Sequence, residues 1–498
     1  MSITRKTRRD FLRNLCTLAA SGGAAALIPQ LRMMGTALAS TNAFADYKAL
    51  VCVYLAGGND SWNMVVPFDT TRFNTYTTSR SGTYNATTNP GGLGLALPTT
   101  SAQIAAQKII DGNDASSSTN QYFLHPSMPE MTPLFAQHKL AFLVNAGTLV
   151  KPIDMNAYKT AANRPPQLFS HSDQTNQWHQ GSTSSTDVSG WGGRCAENLD
   201  GLGANLSSNP KIPLAISIAG SNRYEIGHST VPYQMSSGGL TSLNGVCNPS
   251  CTGVTTNSAR DAALNDLLGA TYASDFAGEY NKVFNSARSL YTKIGPNVPP
   301  ASTAYVPANT WPANNSLANQ LKTVATMINL SKTQGYASRQ IYFVQIGGFD
   351  LHSGFNTGNG NHAQLLQLVS QALNAFWTAL GPTYLNLQNN VTVFTMSDFA
   401  RTLQSNGAGS DHAWGSVQMV LGGAVQGGKL YSGGDLISGF PNQALNAPNN
   451  FSRGQMIPGI GVEQYAATLA QWMGVSATDC LTMFPNLANF TTRNIGFV

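Results

Sequence analysis

Charge is scarce in this sequence. Asp, Glu, Lys and Arg make up 10% of the 498 residues, and the formal net charge of +5 is confined to the N-terminus. Residues 1 to 45 hold six basic side chains (Arg5, Lys6, Arg8, Arg9, Arg13 and Arg32) and one acid, Asp10. Twenty-eight basic residues less these six, and 23 acidic less this one, leave the remainder balanced. That balance argues against a nucleic-acid-binding protein or one drawn to anionic lipid. Long hydrophobic runs are missing as well: beyond the N-terminus no segment reaches the roughly 18 uninterrupted apolar residues that a membrane span needs. No internal repeat is present, and no glycine pattern of the dinucleotide or P-loop type. Cysteine is sparse, with six in all. Asn, Ser, Thr and Gly stand in for charge, a composition suited to an extracytoplasmic protein with long polar loops.

What is present begins at the N-terminus. Thr7-Arg8-Arg9-Asp10-Phe11-Leu12 leads into a small-residue apolar stretch from Leu15 to Ile28 and then Ala43-Phe44-Ala45. Paired arginines, a weakly apolar centre and an A-x-A ending are the parts of a twin-arginine signal peptide over residues 1–45, which predicts a periplasmic or secreted chain with no membrane attachment after cleavage. Cys16 leaves with that segment. Of the five cysteines that remain, Cys247 and Cys251 lie in a Gly/Ser/Asn-rich stretch where a tight disulfide loop is one reading and a metal site, lacking a second ligand pair, the other. Cys52 sits inside an apolar run and reads as a core thiol.

Residues 46–498 read as one domain with an insertion near 221–320. Residues 48–56 (KALVCVYLA) form the first strand, 127–138 a helix and 140–145 a second strand. A polar loop, a short helix at 191–199 and a strand at 212–218 follow, then a loop-like stretch over 221–257. Helical patterns cover 258–294, 314–333, 362–380 and 462–473, and strands are predicted over 340–346, 391–396 and 417–421. Strands alternating with long helices predict an α/β fold with a mostly parallel central sheet covered on both faces.

In such a sheet, ligands bind beyond the carboxyl ends of the strands. Three strands run into an acid there: KALVCVYLAGG into Asn59-Asp60, QIYFVQIGG into Phe349-Asp350 with His352 two residues on, and VTVFTMS into Asp398. The loop before VQMVLGG adds Asp411-His412. Each has an ordinary alternative: a turn former after Gly-Gly, an N-cap for Asp398, a surface loop residue for His352. Gathered at one sheet edge they call for a neutralising cation, which a divalent metal supplies. Mixed carboxylate and imidazole ligation fits Zn²⁺, Mn²⁺ or Fe, and a carboxylate-rich subset also accepts Mg²⁺ or Ca²⁺.

Six motifs occur in order: GGNDSWNMVVP (57–67), FLHP (123–126), SHSDQTNQW (170–178), GGFDLHS (347–353), SDFART (397–402) and GSDHAWGS (409–416), the last followed by VLGGAVQGGKLY. This set resembles a family of twin-arginine-exported bacterial proteins of unknown function placed within the alkaline phosphatase and sulfatase superfamily. The resemblance covers roughly residues 48–490 and is least typical over 221–320. It implies an alkaline phosphatase-like three-layer sandwich with long loop insertions and a site for one or two metal ions. Asp60 takes the position of the acid that holds one metal. Asp350 and His352 take those of the acid and imidazole at the other, more closely spaced than is usual. Asp398 matches the acid of a late Asp-His pair whose second member here is Phe399. His412 resembles the final histidine, with Trp414 where the family often has another. The superfamily's nucleophile falls near Ser170 or Ser172, where helix-start amides and a metal would activate a hydroxyl. His171 is a ligand candidate, and ordinary capping by Ser172 is the alternative reading of this stretch.

The resulting expectation is an exported metal-dependent hydrolase of phosphate or sulfate esters, acting on a small-molecule or glycan ester and engaging the twin-arginine translocase during export. The alternative expectation is a non-catalytic binding or assembly protein that keeps the fold with a degenerate metal site, motivated by Phe399, Trp414 and the lack of an obvious nucleophile.

Overall fold

The apolar run KALVCVYL forms β1 (Lys48–Leu55) at the middle of the molecule. Its alternate residues enter two different cores, Ala49, Val51, Val53 and Leu55 on one side and Leu50, Cys52 and Tyr54 on the other. A strand buried on both faces needs no polar alternation, which is why the sequence there is continuously apolar. The computed structural model describes residues 44–498 apart from 115, 184–186, 209–210, 241–255, 296–297 and 299–310. Residues 1–43 of the expected signal peptide, and Cys247 and Cys251 with both of their readings, lie outside the described residues.

The remaining strands of the nine-stranded central sheet are β2 (Leu140–Gly147), β3 (Ala215–Ser217), β4 (Tyr233–Gln234), β5 (Arg339–Ile346), β6 (Val391–Ser397), β7 (Ser416–Gly422), β8 (Leu430–Tyr431) and β9 (Ile460–Gly461). Their order is β8-β2-β7-β6-β1-β5-β3-β4, with β9 also paired to β2. β1 pairs in parallel with β5 and β6, while β7 is antiparallel to both of its neighbours, β6 and β2. Every other pairing in the sheet is parallel. β7 alone is therefore reversed, and the loop that precedes it arrives at the edge where the other strands end.

Helices cover both faces. Seven organise the description: α1 (His171–Gln180), α2 (Trp191–Gly201), α3 (Thr256–Gly269), α4 (Asp275–Ile294), α5 (Ser316–Gln334), α6 (His362–Ala379) and α7 (Val462–Met473). α5 and α6 pack on the first core through Leu317, Leu321, Val324 and Ile328 and through Leu366, Val369, Leu373 and Phe376. Their apolar residues recur at three- and four-residue spacing, which puts them on one helix face. Trp178 of α1, Trp191 and Cys195 of α2, and Tyr465 and Leu469 of α7 pack on the second. Cys52, Cys195 and Cys480 are buried free thiols. The predicted helix over 127–138 shrinks to Met131–Ala136. Within the expected insertion α3 and α4 form a helical hairpin, tied to the body by Leu290 and Ile294 at the end of α4. Among the described residues, no helix is long and apolar enough to cross a membrane.

Candidate metal centre

The strand ends and one helix start converge on a single cluster. Asp350 and His352 follow β5, Asp398 follows β6, and His412 lies in the loop ahead of the reversed β7. The segments after β6 and before β7 run antiparallel, joined by an Arg401 to His412 bridge and by Ala413 N donating to Ala400 O at 2.8 Å. His171 is the first residue of α1. Two glycines make room at the end of β1. Gly57, at φ +114°, lies so close to the Asp350 backbone nitrogen that a Cβ would sit 2.5 Å from it. Gly58, at φ +79°, faces the Phe399 ring, again 2.5 Å from where a Cβ would be.

The three imidazoles of His171, His352 and His412 point their Nε2 atoms at one carboxylate oxygen. Asp350 Oδ1 lies 3.5, 3.2 and 3.6 Å from them respectively. The Nε2 of His412 is 3.1 Å from that of His171 and 2.8 Å from that of His352. Each ring is held from behind by its other nitrogen. His171 Nδ1 donates to Asp398 Oδ2 at 2.7 Å, His352 Nδ1 to Asp411 Oδ1 at 3.0 Å, and His412 Nδ1 to the Phe169 carbonyl at 2.7 Å. A carbonyl only accepts, so His412 carries its proton on Nδ1, and the two carboxylates favour the same tautomer in the other rings. The facing Nε2 atoms are then lone-pair donors in close mutual contact, an arrangement that repels unless a cation sits among them. Outward Nδ1–H bonds to carboxylate or carbonyl are also the usual support of metal-ligating histidines. His171, Asp350 and His412 each offer a ligand atom, all within 4.8 Å of one another. Three imidazoles and one carboxylate form a donor set that fits Zn²⁺, Mn²⁺ or Fe better than Mg²⁺ or Ca²⁺.

The electrostatics agree with this. Burial alone would raise the Asp350 carboxyl, but the Arg401 hydrogen bond at 2.8 Å and the Arg401 charge outweigh it and hold the group below the usual carboxylate range. Burial holds the His412 imidazole below its ordinary value, and the charge of Arg401 adds to this, against the Phe169 carbonyl. Both groups are thereby kept in the form that binds a cation. Arg401 is itself fully buried, whereas the Asp350 and His352 side chains are 48% and 45% exposed, so the cluster opens to solvent on one side.

Of the expected site residues, Asp350, His352, His412 and His171 come together around this point. Asp398 stands behind His171, its Oδ1 accepting from the Tyr54 hydroxyl at 2.6 Å and from Gly57 N at 3.1 Å. No helix follows Asp398 for it to cap. Asp60 stands apart from the group: its Oδ2 is paired with Arg80 at 2.6 Å, with both side chains buried. Its position after β1 takes it into the protein interior, where the Arg80 guanidinium neutralises it and its Oδ1 is buried without a hydrogen-bond partner among the described residues; it is not among the residues that converge on Asp350 Oδ1. Ser170, not Ser172, is the N-cap of α1, and its side chain makes no capping bond. Its hydroxyl goes to Asp173 Oδ2 at 2.5 Å, with Ser172 Oγ 3.4 Å from the same oxygen. Phe399 is buried with its ring against His171 and His412, at centroid distances of 4.7 and 4.6 Å. It is a floor for the imidazoles where the resemblance led us to look for a ligand. Trp414 is a core residue, its indole N–H donating to the Thr148 carbonyl at 2.8 Å. The sequence pattern did not mark out Arg401, although it lies within the SDFART motif, nor the roles of Asp411 and the Phe169 carbonyl. Phe169 takes φ +71° to present that carbonyl, a conformation rare for a bulky side chain.

Fold and site thus define an α/β protein with a solvent-accessible His/Asp cluster at the carboxyl edge of a mostly parallel sheet. Residues 324–469 match the model of a family described as a protein of unknown function (DUF1501). The matched stretch includes Asp350, His352, Asp398, Arg401 and His412 and stops short of His171. No curated protein matches the chain.

Proposed function

We propose that this is an exported hydrolase of phosphate or sulfate esters that depends on one transition-metal ion held by His171, His352, His412 and Asp350. The observation that carries the reading is the convergence of three Nε2 atoms on Asp350 Oδ1, each ring tied back through Nδ1. A divalent ion bound there supplies Lewis acidity toward a phosphoryl or sulfuryl oxygen. The chain's own groups do the rest. Ser170 is the nucleophile in this reading: its hydroxyl already donates to Asp173, which takes the proton as the oxygen bonds to phosphorus or sulfur and the bond to the ester's alcohol breaks; the proton goes on to the departing alkoxide, and water then hydrolyses the seryl ester to restore the hydroxyl. The start of α1 favours the developing negative charge on that oxygen. Arg401 fixes the Asp350 carboxylate through a buried guanidinium that does not compete with substrate for solvent-facing space. Kinship with the alkaline phosphatase and sulfatase superfamily, and delivery by the twin-arginine translocase to the periplasm or beyond, complete the proposal.

One observation favours the second reading, a binding or assembly protein. Phe399 fills the place where the resemblance puts a ligand, its ring against His171 and His412, which speaks against the standard two-metal route. A screen separates the two: aryl phosphate monoesters, phosphodiesters and sulfates offered to protein reconstituted with Zn²⁺, Mn²⁺ or Fe²⁺. The hydrolase reading expects turnover of at least one class, abolished by Asp350→Ala and reduced at least ~100-fold by Ser170→Ala. Metal-loaded protein inert toward all of them would leave the binding reading in its place.

A further inference from the structure

The helical hairpin carries a surface that the site does not use. Along α4 the residues Phe276, Tyr280, Val283, Ala287, Leu290 and Ile294 are spaced four, three, four, three and four apart. This is the alternating spacing of a coiled-coil seam, which keeps every member on one stripe of the helix. The stripe is only half used. Leu290 and Ile294 are buried in the main core, while Phe276, Tyr280 and Val283 are 90%, 70% and 64% exposed. Beside it, α3 and the turn into α4 contribute Leu264, Leu267, Leu268 and Tyr272 to an apolar groove of about 610 Å³ that Phe276, Tyr280 and Phe284 also line. A soluble protein seldom leaves so continuous an aromatic face uncovered unless something docks on it.

We infer that this face is where a second copy of the chain binds, the two hairpins packing about a twofold axis as a four-helix bundle. Two quantities favour a copy of itself over other occupants. Phe276, Tyr280 and Tyr272, at 90%, 70% and 40% exposure, present on the order of 400 Å² at roughly 200 Å² per aromatic side chain. A twofold pairing doubles that, and the aromatic rings alone then supply about half of the ~1,600 Å² that a standard interface buries. The charges across residues 256–294 also cancel: Arg260, Lys282, Arg288 and Lys293 stand against Asp261, Asp266, Asp275 and Glu279. Two are already paired within the hairpin, Arg288 with Asp261 and Lys282 with Glu279. A neutral hairpin does not repel its own copy, and it lacks the basic face with which amphipathic helices hold to anionic membranes.

The test is sedimentation equilibrium of the purified protein beside the double variant Phe276→Asp, Tyr280→Asp, with the far-ultraviolet spectrum as a check on folding. The expected result is a concentration-dependent dimer whose dissociation constant rises by more than about a hundredfold in the variant, two buried rings being replaced by charge. In parallel, Tyr280→Cys should form a covalent dimer under mild oxidant. Lys282→Cys, two residues on and turned away from the stripe, should not. A protein monomeric throughout, a dimer that the double variant leaves intact, or binding to lipid vesicles that depends on Phe276 would each overturn the inference.

Discussion

Changing Asp398 to Asn separates a group that supports a ligand from one that is a ligand. Three donors converge on this carboxylate: His171 Nδ1 on Oδ2, and the Tyr54 hydroxyl and Gly57 N on Oδ1. An amide has one oxygen to offer them. Turned toward Tyr54 and Gly57, it sets an NH₂ against His171 Nδ1 and drives the imidazole into the tautomer with its proton on Nε2, which cannot ligate. Turned toward His171, it sets the NH₂ against the half-buried Gly57 N–H and the buried Tyr54 hydroxyl, a loss of ~1–3 kcal/mol where a buried donor goes unsatisfied. Either arrangement weakens the site without removing a donor atom. The expected loss of metal affinity is therefore 10- to 100-fold, or about 1.4–2.8 kcal/mol, with one ion per chain still bound at saturation. His412→Ala, which removes a donor, should lose the ion outright. Competition titration against a chromophoric chelator measures both. If Asp398→Asn abolished binding as completely as His412→Ala, the carboxylate would be a ligand and its placement behind His171 would be wrong.

Three further outcomes follow from the same geometry. Asp60→Asn breaks a pair buried on both sides and should destabilise the fold by roughly 3–5 kcal/mol in urea unfolding while leaving metal stoichiometry unchanged; loss of the ion instead would restore Asp60 to the ligand set. Phe399→Ala removes the ring beneath His171 and His412 and should cost about 3–5 kcal/mol, with weakened rather than absent metal binding, read by the same titration. Stability should also peak near pH 6.5. Burial holds His125, His179 and His362 down to about 3, so the unfolded chain takes up protons below pH 6.5 that the fold refuses, and stability is lost as pH falls. Burial pushes Glu225 and Glu463 up to about 8, so stability that is fully present below pH 4.5 is lost as pH rises through that value. Each group contributes up to about 1.4 kcal/mol per pH unit in its window. Thermal midpoints should fall between pH 6.5 and 8, and Glu225→Gln with Glu463→Gln should flatten that decline; equal midpoints across the range in the parent protein would refute the argument.

The long, evenly patterned elements could be read from sequence because local pattern and tertiary context agree there. β1, β5, β6 and α7 lie where their apolar runs put them. The helix Met131–Ala136 was legible but not its bounds, and the two-residue strands do not declare themselves, since they exist through pairing with distant segments. At the site, Asp350 and His352 could be picked out because they directly follow an apolar strand, and His412 because it sits with Asp411 in the loop just before one. What the pattern could not carry was which acids and imidazoles converge on one point and which stand behind or apart from them. Asp60 and Asp350 both follow a strand and a Gly-Gly, yet one meets Arg80 in the interior and the other faces open solvent beside Arg401. Nor could spacing tell that β7 runs backward, the reversal that brings His412 to the strand-end edge.

The most direct test of the central claim is the metal content of the protein purified without chelators, measured by elemental mass spectrometry on the parent and on His171→Ala and His412→Ala. One transition-metal ion per chain in the parent, absent from both variants, is the result this geometry predicts. A folded parent with no metal, or variants that keep theirs, would contradict it.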